Sequence, residues 1–271
     1  MNQEPFLLEQ ASFLKLSLDE KVHAGISTRN GGVSVKPYES LNLGLHVGDV
    51  WEHVVENRRR LAHEIGFPLE SWVCAEQVHG SSIHKVSLDE RGCGAKEMGT
   101  AVAGTDGLYT REPGVLLSLG YADCVPLYFF ARGCSIVGLA HAGWRGTTQN
   151  IAGNMIKRWV QDEKIPLEDI RVVIGPSIGP CCYEVDQQVI DALSNVLGSQ
   201  ADDVYRQSSE GHYRLDLKKS NMKLCQKEGI SENHIECSSY CTGCQTDTFY
   251  SHRIEGGPTG RMMAYIGMHV K

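Results

Sequence analysis

Apolar residues recur every three to four positions between Asp49 and Gly66: Val54, Val55, Leu61, Ala62 and Ile65 form one stripe with Arg58 among them, and charged residues take the other side. That period marks an amphipathic helix. The same spacing of Ile151, Met155, Trp159 and Val160 predicts a helix that starts at a Thr147 or Thr148 cap and runs to about Lys164. Val189, Ile190, Leu193, Val196 and Leu197 predict another over 185–197, and a further one fits 217–228. Short apolar runs rich in Val, Ile, Leu and aromatic residues fill 71–80, 82–87, 115–121, 125–131, 135–140 and 170–174 and read as strands. Residues 262–270 could close a sheet at the C-terminal end.

Strands cluster in the middle of the chain and helices fall before and after them, so strict βαβ alternation fails. The expected class is α+β, a layered sandwich of mixed β-sheets flanked by helices. No repeat, low-complexity tract or Pro/Ser-rich linker divides the sequence, which predicts one catalytic domain over 1–271. A GxGxxG turn follows none of the strands and GxxxxGK[ST] is absent, so neither phosphate-binding fingerprint is present.

Lys and Arg number 26 against 33 Asp and Glu, a formal charge of -7, so the chain lacks the basic excess that draws proteins to nucleic acid or anionic membranes. The opening MNQEPFLLEQ carries Glu4 and Glu9 where a secretory signal would need basic residues and then an apolar stretch. The most apolar region, 114–144, is interrupted by Asp123 and Arg132, too soon for a membrane span. A cytoplasmic protein is expected. In that setting its ten cysteines read mostly as buried thiols rather than a disulfide framework. Cys241 and Cys244 have CxxC spacing, but no second CxxC completes a four-cysteine site and Cys181 and Cys182 are adjacent, so a structural or incidental role is expected.

Three polar stretches interrupt the apolar pattern. HAGWRG (141–146) follows a buried run; its glycines allow a tight turn before Thr147, so amide N–H groups and a helix start would face one space, with Arg145 adding a cationic fork for phosphate or carboxylate. The bland reading of Arg145 is a surface ion pair. Between two strands, read as a hairpin, Asp123 and Cys124 lie side by side, and Gln77-Val78-His79-Gly80 breaks strand alternation at a glycine. Local spacing alone does not choose among eleven histidines and ten cysteines.

The stretches STRNGGVS, SLNLGLHVGD, ENRRRL, QVHG, GTDGL, ADCVPL, HAGWRGT, GPSIGPCCYEV and FYSHRIEGGPTGRMMAYIG, in this order over nearly the whole chain, resemble the laccase-domain (YfiH/YlmD-like) family. Its members carry the labels polyphenol oxidoreductase, peptidoglycan editing factor and purine nucleoside phosphorylase with adenosine deaminase activity. The resemblance implies that His79, Cys124 and His141 form the metal-binding catalytic set. Two imidazoles and a thiolate suit Zn²⁺, and three protein ligands leave one position open, the pattern of a catalytic site. Zinc would favour attack of water on C6 of adenosine and would help hold phosphate against C1′ of a purine nucleoside. Arg145, Asn42, Arg59, Asp123 and Cys182 are the expected substrate-side residues: Asp123 as a partner that orients a ligand histidine, Cys182 as pocket lining, Asn42 and Arg59 as ribose or phosphate contacts. Asn42 and Arg59 read equally well as a turn asparagine and a solvated helix arginine.

Copper is the alternative ion, since two His and one Cys also hold mononuclear copper. A multicopper laccase, however, needs further histidines in His-x-His pairs, and no two of the eleven have that spacing. A metal-free hydrolase with Cys124 as nucleophile and His141 as base, and a binding or editing factor for cell-wall precursors, complete the alternatives.

Overall fold

The computed structural model describes residues 4–18, 21–131, 133 and 136–270. In chain order, β1 (Phe6–Gln10), β2 (Phe13–Leu16) and β3 (Val22–Ser27) form a meander, and a long loop leads to α1 (Trp51–Glu64). β4 (Trp72–Cys74) and β5 (Ile83–Lys85) bracket the QVHG segment. β6 (Gly107–Thr110), β7 (Leu116–Tyr121), β8 (Val125–Ala131) and β9 (Val137–Ala142) build the middle, followed by α2 (Trp144–Thr148) and α3 (Ile151–Gln161). Then come β10 (Ile170–Ile174), β11 (Glu184–Asp186), α4 (Gln187–Leu197), β12 (Tyr205–Ser209), β13 (His212–Leu215), α5 (Leu217–Lys227), β14 (Ile235–Cys237), α6 (His252–Glu255) and β15 (Met262–Met268).

Two six-stranded sheets stack face to face, ordered β1-β2-β3-β15-β7-β4 and β14-β10-β8-β9-β6-β5, and β11-β13-β12 make a small third sheet. Both large sheets are mixed: β4 runs parallel to β7, and β5 and β14 run parallel to β6 and β10, while their other pairings are antiparallel. Side chains alternate accordingly. In β7, Leu116 faces α1 and packs with Leu61, Trp72 and Tyr265, whereas Leu117 and Leu119 enter the layer between the sheets. In β8, Tyr128 enters that layer while Leu127 and Phe129 face Met155 and Trp159 of α3. Two buried tyrosines tie the sheets together, Tyr128 donating to Gly25 O at 2.8 Å and Tyr121 to Ala140 O at 3.0 Å. The result is the expected α+β layered sandwich of mixed sheets between helices.

The predicted helix over 147–164 is two helices. Asn150 adopts a left-handed conformation (φ 56) and its side chain accepts from Gly153 N, so the cap lies at Asn150 and not at Thr147 or Thr148. Thr147 N donates to Gly143 O within α2, and its buried hydroxyl accepts from Asn221. The expected helix start at Thr147 is thereby corrected, and with it the idea of free amides there. The strand expected at 71–80 stops at Cys74, and the one expected at 135–140 runs Val137–Ala142, its first residue lying outside the described ones. Among the described residues no helix is long and apolar enough to cross a membrane.

Candidate active site

Of the places where the chain passes between the two large sheets, two carry one residue each of the expected trio. β4 and β5 belong to different sheets, so QVHG spans the seam. β7 and β8 also belong to different sheets, so Asp123 and Cys124 lie in a crossover and not in the hairpin read from the sequence. His141 comes from β9, next to the β9–α2 turn.

Asp106, just ahead of β6, fixes both histidines. Its buried carboxylate accepts from the N–H groups of Val78 (3.1 Å), His79 (3.0 Å) and Gly80 (2.7 Å), and Oδ1 lies 2.9 Å from His141 Nδ1. Three successive amides converge on one carboxylate because His79 adopts a left-handed conformation, φ 59. Gln77 clamps the same loop to β7, donating to Gly120 O and accepting from Gly120 N, both at 2.8 Å. With Nδ1 held by Asp106, His141 offers Nε2 to the seam.

The ligand atoms of His79, Cys124 and His141 lie within 4.8 Å of one another. His141 is buried, Cys124 half-buried and His79 exposed, so the cluster opens to solvent on the His79 side. Burial pushes the Cys124 thiol up, but the His141 charge and hydrogen bonds from both imidazoles outweigh it and bring it down to about 6. Burial likewise pushes His141 down, and the Cys124 thiolate with the Asp106 hydrogen bond carries it up to about 9. A thiolate and two histidines converging at a half-open seam are a fitting donor set for a transition-metal ion. Gly143 supplies the room. A Cβ there would stand 2.9 Å from Cys124 Sγ and 3.3 Å from His79 Cδ2, although its φ of -70 suits any residue. Gly143→Ala is therefore expected to weaken metal binding about tenfold or more with little change in unfolding midpoint, read by competition with a chromophoric chelator.

The remaining expected residues scatter. Asp123 (φ 85) spends its carboxylate elsewhere: Oδ1 accepts from Thr242 Oγ1 (2.6 Å) and Ser251 Oγ (2.7 Å), and Oδ2 from Arg253 N (2.7 Å). The histidine-orienting role expected of Asp123 falls to Asp106. Asn42 is fully buried; its Oδ1 accepts from Gly44 N and Arg261 N and its Nδ2 donates to Asp49, so it sets the loop that carries Arg261. Arg59 is exposed on α1, and the nearby charge on which it acts is Glu70, away from the trio. Its neighbour Arg58 is the buried one and donates to Leu43 O, Gly94 O and Ala95 O. Arg145 is exposed on α2, its guanidinium 4.5 Å over the Trp144 ring and within electrostatic reach of Tyr183. Cys182 joins Cys181, Cys241 and Cys244 in a separate cluster.

Sequence reasoning passed over Asp106, although GTDGL carries it, and Arg261 in the tail motif. Burial lowers the pKa of Arg261; of the neighbouring charges that oppose this, Cys124 is the first and Asp123 the second. A half-buried arginine within electrostatic reach of a thiolate leaves no periodic trace.

A layered β-sandwich in which two of the sheet crossings and the end of β9 bring a thiolate and two imidazoles together defines a protein with a His₂Cys metal-type centre. Comparison with known proteins places it further. The family described as multi-copper polyphenol oxidoreductase laccase matches residues 23–269, and the chain belongs to that family. It is 53% identical over 244 residues to purine nucleoside phosphorylase YlmD of Geobacillus stearothermophilus, covering 90% of this chain and 89% of the relative. The Bacillus subtilis protein of the same name is 46% identical over 250 residues, covering 92% and 90%. The crystal structure of YlmD from Geobacillus stearothermophilus superposes with a TM-score of 0.97 at 49% identity, covering 99% of this chain and all of that one. A Bacillus licheniformis hypothetical protein, YfiH, gives 0.96 at 46% identity, covering 98% and 100%.

Proposed function

We propose that this chain is a zinc-dependent purine nucleoside phosphorylase, a single catalytic domain of the cytoplasm, that also deaminates adenosine. The observation that carries the reading is the convergence of His79, Cys124 and His141 at the open seam of a chain 53% identical to a protein named for that activity. Sheet strands drawn from both ends of the chain support one domain, and exposed thiols such as Cys181 and Cys244 suit a reducing compartment. Phosphorolysis breaks the C1′–N9 bond of adenosine, inosine, guanosine or methylthioadenosine and joins a phosphate oxygen to C1′. The chain must therefore hold an anion beside the sugar and keep it oriented.

His79, Cys124 and His141 would hold Zn²⁺, which would supply Lewis acidity to the reaction. Arg145, which acts on Tyr183 as Cys124 does, and Arg261, which Cys124 acts on, would add positive charge that favours an incoming phosphate dianion and stabilises charge shifted onto the leaving base. Asp106 keeps the His79 loop and the His141 ring fixed, so little reorganisation accompanies reaction. Deamination needs no phosphate. Arg145→Ala is accordingly expected to raise the KM for phosphate about tenfold while adenosine deamination keeps its rate. Equal losses in both would remove Arg145 from phosphate binding.

The test of the whole reading is direct. Purified zinc-loaded protein is incubated with adenosine, with and without phosphate, and adenine, inosine, hypoxanthine and ribose 1-phosphate are separated by chromatography. Ribose 1-phosphate that appears only with phosphate supports phosphorolysis; inosine without phosphate supports deamination. If no product forms, the reading fails in favour of a binding module. The family description gives copper oxidation a specific claim, but among the described residues the trio is the one metal-type cluster that contains histidine, too few donors for the copper set that four-electron reduction of dioxygen requires.

A further inference from the structure

Nine of the ten cysteines stand outside the chemistry above, and the fold brings four of them to one point. Cys181 and Cys182 lie on the turn Gly179-Pro180-Cys181-Cys182 after β10; Cys241 and Cys244 lie on Cys241-Thr242-Gly243-Cys244 after β14. The two segments run side by side, with a parallel bridge at Ser177 and Cys241 and Thr242 N donating to Ser177 O at 3.1 Å. All four sulfurs lie within 4.8 Å of one another. Cys181 Sγ is 3.5 Å from Cys241 Sγ and 3.3 Å from Cys244 Sγ, and Cys182 Sγ is 3.4 Å from Cys244 Sγ.

These spacings describe a shared cluster and not two disulfides, since no sulfur has a single near partner at bonding distance. A tetrahedron with metal–sulfur bonds of about 2.3 Å has sulfur–sulfur edges of about 3.8 Å, close to what the four thiols already adopt. The surroundings are shaped for them. A Cβ on Gly243 would meet Cys182 Cβ at 2.8 Å and its Sγ at 3.0 Å, and one on Gly179 would lie 3.3 Å from both Cys181 Sγ and Cys241 Sγ. Gly179 N donates to Cys241 Sγ at 3.1 Å, a bond that favours a thiolate there.

We propose that Cys181, Cys182, Cys241 and Cys244 form a second metal centre, a closed four-thiolate site that takes Zn²⁺ and staples the turns after β10 and β14 together. Four soft ligands with no open position make a structural site and not a catalytic one. Binding displaces the thiol protons to solvent and needs no oxidant. The staple reaches the chemistry through Asp123: Thr242, between two of the ligands, donates to its carboxylate at 2.6 Å, and Ile178 N, ahead of the other turn, donates to its main-chain oxygen at 3.0 Å. Asp123 adjoins Cys124, and Tyr183 adjoins Cys182 with the Arg253 guanidinium 4.8 Å above its ring.

The test uses the full chain purified under reducing conditions, with zinc measured by elemental analysis. Wild type is expected to hold roughly two ions per chain and Cys181→Ser/Cys244→Ser roughly one. Cys124→Ala/His141→Ala leaves the four thiols intact; it is expected to keep roughly one ion, with X-ray absorption showing sulfur alone at about 2.3 Å. Chelation of that variant should lower its melting temperature. Unchanged zinc in Cys181→Ser/Cys244→Ser, no zinc in Cys124→Ala/His141→Ala, or a disulfide among the four in a non-reducing mass spectrum would each overturn the proposal. The second variant answers even if the first fails to fold.

Discussion

Cys124→Ala is expected to lower phosphorolysis by about 10³-fold or more, a barrier rise of about 4 kcal/mol, and to remove about one equivalent of zinc while the circular dichroism spectrum stays as in wild type. The substitution takes away the one anionic donor of the trio and leaves His79 and His141, which lie with ring centroids 4.9 Å apart, without the charge that joins them. It also removes the thiolate that, together with Asp106, raises His141 to about 9, so the imidazole loses one of the groups that favour its charged form. Metal and activity are measured on one sample. If metal content stays normal while activity vanishes, the thiol acts as a nucleophile and the zinc reading of the site is wrong.

Asp106→Asn should come next in size. The carboxylate accepts from three amides and holds His141 Nδ1 at 2.9 Å, so an amide of the same shape turns at least one acceptor into a donor facing other donors. Loss of an outer-shell partner of this kind typically costs about 10–100-fold in metal affinity or activity. Setting a donor against the buried His141 ring and the part-buried amides should also cost about 1–3 kcal/mol of stability. Isothermal titration with Zn²⁺ and urea unfolding read the two effects separately. Normal affinity together with normal activity would show that the His79 loop holds its form without the carboxylate.

What the sequence disclosed follows its periodicity. α1, β8 and β10 are where the pattern puts them because each buries a regular face, and β8 and β10 match residue for residue. β1 went unread since four of its five residues are exposed, and the β11–β13 sheet is mostly polar surface, so neither repeats an apolar period. The break at Asn150 is one residue's left-handed turn inside a run that reads as continuous helix. In the site, the trio was legible through motif resemblance and not through spacing. Asp106 escaped because its partners, three backbone amides and the His141 ring, lie far from it along the chain and leave no mark beside it in residue type. The four-cysteine cluster escaped for a related reason: an adjacent pair and a CxxC, about sixty positions apart, look unrelated until two turns are laid side by side.

The place of β15 has a consequence for biosynthesis. It lies between β3 and β7, pairing with both, and among the described residues it is the last strand. Until residues 262–268 are made, the sheet exists as two halves, each with an apolar border lacking its neighbour, and a stop codon ahead of Met262 would leave them so. Such a product would be an adhesive, self-associating species and not a slightly shorter catalyst.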